Sequence, residues 1–479
     1  MIQQNSGTQV ETGHQADSAQ RELHRPLRLR DLVLAQVLSV VGSSWVGTAA
    51  GLGRAQSAVW VLAMLLFYLP MAASVICLNR AMPLEGGLYI WAREAFGDLG
   101  GFITAWNVWV YGIAVSAAIL YSIPTELTYL IGPGAAWLPE NRVASLAIVS
   151  LLIAALTLAA MRGLELGKWI HNVGGAAVLL VFAALIVLPL WAMAQHVPGH
   201  NAHFSYTPFA VVAPKMELRT LALFGQMLFG ALCGLEYVAI MAGESRDPAR
   251  SIGQSVMLAS PVICAMFILG TASIVTLVPQ EKIDFIAPIP EAMRMTLGTR
   301  GAGSIAAMAV ILLLQLRLLG ATNLLFTGVT RLPMTAGWNH LVPAWFTRLH
   351  PKWRTPVNSI VCTAAVVFAF VLLASLGVHA QETYQLLSNA SLVHYEVAYT
   401  AMFAIPLVGA AALRRSLPGW LKWTSAAGLG STLFALAISA YPFVDVVSGW
   451  SYAAKIIGTV VVSNVVAAIF YWRRRRQRG

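Results

Sequence analysis

Four ionisable residues of this chain, Glu236, Arg317, His394 and Glu396, lie deep inside long apolar stretches. A charged group in the middle of a membrane segment costs about 2.5–3.5 kcal/mol on insertion scales, so its retention needs a reason. Glu236 can serve as a protonatable coupling or gating group, or as a cap hydrogen-bonded to broken helical backbone. His394 is of the type that relays protons near pH 7, and equally of the type that sits satisfied in a core. Arg317 is too deep to snorkel to either face; it can hold an anionic group or pair with Glu236 or Glu396. Glu396 is rotated away from His394 and reads as an internal partner. None of the four cysteines, Cys77, Cys233, Cys264 and Cys362, has a CxxC or His/Cys neighbour, so neither a disulfide nor a metal is expected.

The elements that must position these groups are interrupted apolar helices. Val41-Gly42-Ser43-Ser44-Trp45 and Gly230-Ala231-Leu232-Cys233-Gly234-Leu235-Glu236 each place glycine inside a run greasy enough to cross a bilayer. Glycine weakens a helix and makes an unwound turn cheap. Bare backbone at membrane depth is tolerated only where protein, water or a ligand satisfies it. Matched interruptions in two halves of a chain are the sequence pointer to the solute site of a secondary transporter.

Composition requires a membrane. Hydrophobic residues make up 58% of the chain and charged residues 11%, against about 25% charged in a soluble domain; the mean hydropathy is +0.70. Twelve stretches approach the roughly 20 residues that a helical crossing needs. They are centred in 32–53, 57–78, 102–121, 144–161, 169–193, 221–242, 252–278, 302–329, 357–376, 384–408, 420–441 and 452–472. Placing both termini in the cytoplasm puts most Lys and Arg inside, including the closing run Arg473, Arg474, Arg475, Arg476 and Arg478. The net charge of +11 therefore reports topology and lipid contact rather than nucleic acid. Residues 1–30 read as a loose cytoplasmic tail without a signal peptide. No Walker loop is present, so ATP is not the expected energy source.

Crossings one to five (31–196) and six to ten (219–410) would form two halves, each opening on its broken helix. Five crossings per half make the halves an inverted pair. Helices eleven and twelve (419–472) and a basic tail (473–479) complete the chain. Gln195 to Arg219, Gln280 to Arg300 and Arg331 to Thr355 are the longest expected loops.

Three motifs carry a family resemblance. AMPLEGGLYIWAREAFGDLGGFITAW (81–106) resembles the second-to-third-span signature of amino-acid permeases of the amino acid–polyamine–organocation superfamily. LCGLEYVAIMAGESRDPARSI (232–252) is similar to that family's sixth span and the loop after it, with Asp247 where the family has Asn. TRLPMTAGWNHLVPAWFTRLHPKWRTP (330–356) resembles the loop after its eighth span. The resemblance implies an all-α integral membrane protein of the inner membrane, with a LeuT-type five-plus-five inverted repeat and two extra helices. It further implies a midplane site between spans one, three, six, eight and ten. The chain departs from the family in three places. Gly-Ser-Gly of span one reads Gly42-Ser43-Ser44, a lysine of some proton-coupled members falls near Val178, and a bulky aromatic gate near Gly230 is missing.

An amino acid offers a carboxylate and an ammonium. The helix-end N–H groups around Gly42, Ser43 and Ser44 suit the carboxylate, and carbonyls of Gly230, Ala231, Leu232 and Cys233 suit the ammonium, with Val41 and Gly234 as the flanking site residues. The competing reading of these small residues is close helix packing. By the resemblance, Ser391 faces the site and Ala321 lies near the substrate; Arg317 is one turn outward of Ala321 and could also stand in for the sodium ion of some members. Ser116, Asn107 and Asn323 are further candidates for polar lining. The expectation is a secondary active permease driven by protons or exchange, with no cofactor and no catalytic residues. A polyamine or organic-cation carrier is the alternative. A receptor or channel is disfavoured, because no output domain and no ring of like charges is present.

Overall fold

Backbone amides in hydrocarbon have to close their hydrogen bonds within one segment, which selects helices for apolar runs of this length. The computed structural model of the chain describes residues 28–82, 87–195, 206–236, 247–335, 342–376 and 378–476, and among them all regular structure is helical. Leu29–Val40 (α1) and Ser43–Ala50 (α2) form one bent pair, with 42° between them. Then follow α3 (Gly53–Ala81), α4 (Leu88–Ile131), α5 (Arg142–Arg162) and α6 (Leu164–Ala194). Next come α7 (Leu218–Gly225), α8 (Pro248–Leu277), α9 (Pro288–Leu297) and α10 (Gly301–Thr335). The series closes with α11 (Val357–Ala374), α12 (Ala380–Val408), α13 (Leu421–Ile438) and α14 (Gly449–Arg476). Nine described helices are long and apolar enough to cross a membrane, or ten with the bent pair. The sixth expected crossing begins in α7 and passes into 237–246, outside the described residues; the eleventh corresponds to α13, which carries Lys422 and several Ser, Thr and Gly.

Two boundaries differ from the sequence reading. The third crossing is longer than 102–121: a short helix that starts at Leu88 meets it across a kink at Gly97, whose φ of +79° and ψ of −178° are not helical, and the helix beyond the kink continues to Ile131. The stretch from Gln280 to Arg300 is not a plain loop, since it holds α9. Arg294 of α9 donates to the carbonyls of Tyr129 (2.7 Å) and Leu130 (3.2 Å) and to Ser304 (2.9 Å). A cation on the last carbonyls of α4 satisfies acceptors that the helix end leaves open.

Lipid is as apolar as leucine, so helix association rests on close packing and hydrogen bonds. The core places α12 along α4 and α13, α10 along α6 and α4, and α8 along α1. Tyr111 of α4 stacks on Tyr395 of α12, with centroids 3.6 Å apart. Two π-helical turns, Met64–Tyr68 inside α3 and Gln226–Ala231 after α7, meet through Phe67 and Phe229. Such turns are rare and concentrate at functional sites. Asn107 and Asn464 exchange side-chain amide bonds of 2.7 and 3.2 Å, which fastens α14 to α4. At the other end of the chain, Asp31 accepts the Arg28 amide and also Asn172 of α6, capping α1 and anchoring it. Asp247 does the equivalent for α8 by accepting the Arg250 amide, so the change from Asn keeps a capping oxygen.

Candidate functional site

The break in the first apolar helix consists of two extended residues, Val41 (φ −79°, ψ 95°) and Gly42 (φ −88°, ψ 134°). Arg317 of α10 reaches across to it. Its Nη2 donates to the Val41 carbonyl at 3.0 Å and its Nη1 to Ser43 Oγ at 3.3 Å. The Tyr384 hydroxyl of α12 donates to Ser44 Oγ at 2.8 Å. Gly42 supplies no side-chain cap, so the first N–H groups of α2 keep their preference for an anion.

The second break follows the π turn. Cys233 N–H returns to the Phe229 carbonyl at 3.0 Å, and the Cys233 thiol lies 3.7 Å from the Gly230 carbonyl. Gly234 adopts a φ of +109°, a conformation that disfavours any side chain. Its N–H donates to the Tyr399 hydroxyl at 2.9 Å, and that hydroxyl donates to the Glu236 carboxylate. Glu236 thereby holds the break through Tyr399.

A cavity of about 70 Å³ lies between the breaks, room for about two waters. Gly42, Ser43, Ser44, Gly230, Cys233, Ser391 and Arg317 line it. Tyr111, Val115, Ala118, Ile119 and Ser122 of α4 also line it, one face of the helix at spacings of three and four. Among the described residues of the lining, Arg317 is the one charged side chain.

Several candidates fall elsewhere. Ser116 is turned about 100° from Val115 and bonds back to the Gly112 carbonyl, so it misses the cavity. Asn107 is consumed by Asn464, and Asn323 faces His171 of α6 at 2.8 Å. Ala231, Leu232 and Gly234 are buried against neighbouring helices rather than lining the space. His394 Nδ1 sits 2.7 Å from the Ala390 carbonyl, one turn past Ser391 and outside the lining. Pairing of Arg317 with Glu236 or Glu396 is not what the structure holds: Glu236 bonds Tyr399, and Glu396 accepts from Ser439 at 3.2 and 3.3 Å. The acidic group in electrostatic reach of Arg317 is Glu126 of α4, which accepts from Gln315 at 3.0 Å.

The family model described as Amino acid permease matches residues 31–462. This chain belongs to the amino acid permease family. It is a membrane transporter of the amino acid–polyamine–organocation superfamily. An uncharacterized transporter of Legionella pneumophila is 28% identical over 385 residues, 79% of this chain and 80% of its own length. A probable agmatine/putrescine antiporter of Lactococcus lactis is 26% identical over 349 residues, 71% and 72% of the two chains. The cationic amino acid transporter 5 of Arabidopsis thaliana is 25% identical over 375 residues, 74% and 61%.

In this permease the space beside Gly230 is filled from the other broken helix. A Cβ at Gly230 would lie 2.6 Å from Trp45 Cη2 and 2.9 Å from Leu392 Cδ1, and a Cβ at Gly42 only 2.5 Å from Trp45 Cδ1. Trp45 thus lies over one glycine and against the other, where an aromatic on the sixth span would clash with it. Its position three residues after Gly42, on the face of the next helical turn, was the sequence signal for it. Tyr384, Tyr399 and Glu126 also escaped the sequence reading. Glu126 lies beyond residue 121, where the third crossing was expected to end; the two tyrosines look like ordinary aromatics until the fold sets them at the breaks.

Proposed function

We propose that this permease is a secondary active transporter of amino acids or closely related solutes across the inner membrane, working by alternating access. The observation that carries this reading is the shared cavity: two interrupted helices, one from each proposed half of the chain, present their loose backbone to the same small space. An N-terminal helix end beside Arg317 suits a carboxylate, and the carbonyl dipoles of the second break suit an ammonium. The architecture that goes with it is twelve crossings, a LeuT-type inverted repeat of 31–196 and 219–410, and cytoplasmic termini. Glu236 at the second break is the group we assign to proton coupling or gating, and lipid is the surrounding partner. The relatives named for agmatine, putrescine and cationic amino acids support solutes of this size and polarity.

Counterflow separates a carrier from a channel, because only a carrier exchanges one bound solute for another. Proteoliposomes containing the purified protein and loaded with an unlabelled amino acid mixture should accumulate labelled amino acid transiently above equilibrium. Monotonic equilibration without overshoot for every solute would rule out the carrier mechanism.

A further inference from the structure

We infer that the transported solute carries net negative charge, with a carboxylate received by the Arg317 guanidinium; this rests on the carrier reading above. The argument is a charge count around the cavity. Arg317 is 4% exposed, lines the cavity and is the one charged residue of the described lining. Its two Nη groups hold the Val41 carbonyl and Ser43, and its Nε–H has no hydrogen-bond partner among the described residues, so the guanidinium retains donor capacity for a planar anion. The uncapped start of α2 lies at the same end and adds positive potential.

The opposite end offers far less negative charge. Glu236 bonds Tyr399 through one oxygen, and that hydroxyl also receives Gly234 N–H; its other oxygen has no hydrogen-bond partner among the described residues, but Glu236 stands outside the cavity lining. The Phe229 carbonyl serves Cys233 N–H, and the Gly230 carbonyl faces the Cys233 thiol. Glu396 stands outside the lining; Glu126 belongs to the Arg317 end, where it too stands outside the lining and accepts from Gln315. One ammonium can be met by the remaining carbonyl dipoles, but a second has no carboxylate to meet it, and a desolvated charge without a partner is strongly disfavoured. A diamine or a basic amino acid therefore fits this cavity poorly, in contrast to the solutes named for two of the relatives. An acidic amino acid fits both ends: one carboxylate at the α2 start, one at Arg317, and the ammonium at the second break.

The test is a counterflow panel with the full-length protein in proteoliposomes, using labelled glutamate, succinate, alanine, arginine and putrescine. Glutamate should exceed arginine and putrescine by at least about tenfold, the discrimination expected of one charge-assisted bond. Arg317→Gln should lower the glutamate-to-alanine ratio by about tenfold, and Arg317→Lys should fall between it and wild type, because an ammonium keeps the charge but not the fork. Preference for arginine or putrescine in the wild type, or a ratio that neither substitution moves, overturns the inference. Should Arg317→Gln fail to fold, the wild-type ranking and Arg317→Lys still decide it. Counterflow of alanine with none of glutamate or succinate sinks the inference and leaves the carrier reading standing. Counterflow of succinate without any amino acid upholds the anion and removes the amino-acid reading. No counterflow of any solute removes both.

Discussion

The two helix breaks solve the same problem with opposite charge. At the first, a loose carbonyl of Val41 is met by a cation, Arg317, from a helix far along the chain. At the second, a loose N–H of Gly234 is met by a tyrosine hydroxyl that donates in turn to an acidic residue, Glu236, two residues away in the same segment. Unpaired backbone inside a membrane is costly whichever group is bare, and each break recruits the sign that complements it. The first remains open toward the cavity, since its clamp is itself a lining residue; the clamp of the second is turned into the core. Charge available to a solute is consequently concentrated at the first break.

Changes to the backbone itself should break the comparison most completely. Gly234→Leu forces a side chain into a φ of +109°, a strain of about 1–3 kcal/mol. Gly42→Val puts branched carbon where Trp45 lies. Both variants should insert and remain monodisperse in detergent yet show uptake at background; near-wild-type uptake by either would separate the breaks from transport.

Removing the hinge of the second clamp comes next. Tyr399→Phe deprives Gly234 N–H of its acceptor and Glu236 of its donor, leaving buried groups unmade at about 1–3 kcal/mol. A lowered thermal unfolding midpoint is expected, whereas Glu236→Gln, which keeps an acceptor oxygen for Tyr399, should lower it much less. Equal losses in the two variants would show that the charge on Glu236, rather than its hydrogen bond, holds the break. If Glu236 couples protons, Glu236→Gln should also abolish the pH dependence of accumulation while exchange persists.

Ser43→Ala trims one acceptor of Arg317 at the first break. With Val41 still in place, the expected change is about 1 kcal/mol, read as a several-fold rise in KM for the preferred solute. An unchanged KM would mean that the Val41 carbonyl alone orients the guanidinium.

The smallest effect concerns the outer helix α9, whose start packs against Gly47 of α2. Burial pushes the Glu291 carboxyl up to about 7 from an ordinary value of 4.5, even though its oxygen accepts the Asp284 amide at 2.7 Å. A raised native value means that the folded state holds this proton more tightly. The stabilisation is complete below about pH 4.5 and is lost as pH rises through 7. Thermal melts between pH 5 and 8 should decline slightly, and Glu291→Gln should flatten that decline; a slope of the opposite sign would contradict the assignment.

How much of this was legible beforehand varied by residue. Gly42 and Gly230 announced themselves, because glycine in an apolar run has few uses, and Gly42, Ser43, Ser44, Gly230, Cys233, Ser391 and Arg317 all line the cavity. Ser116 and Asn323 are set apart from their apolar neighbours by polarity alone, and polarity says nothing about which way a helix is rotated. Tyr399 has the same local character as many other aromatics of the apolar helices, whereas Trp45 stands in the first break segment itself and lacks only a sign of the partner it covers.

By itself the sequence determined that the protein is helical and lies in a membrane, that one apolar helix is interrupted at Gly42, and that the chain has the motifs of a permease. Those properties depend on hydropathy and on local backbone freedom, both of which act over a few consecutive residues. Partner choice was decided by the tertiary structure alone. Arg317 meets Val41 across 276 positions of chain and Tyr399 meets Gly234 across 165. No short-range pattern encodes a contact of that separation, because it exists only once the helices have packed and each has settled on a rotation about its own axis.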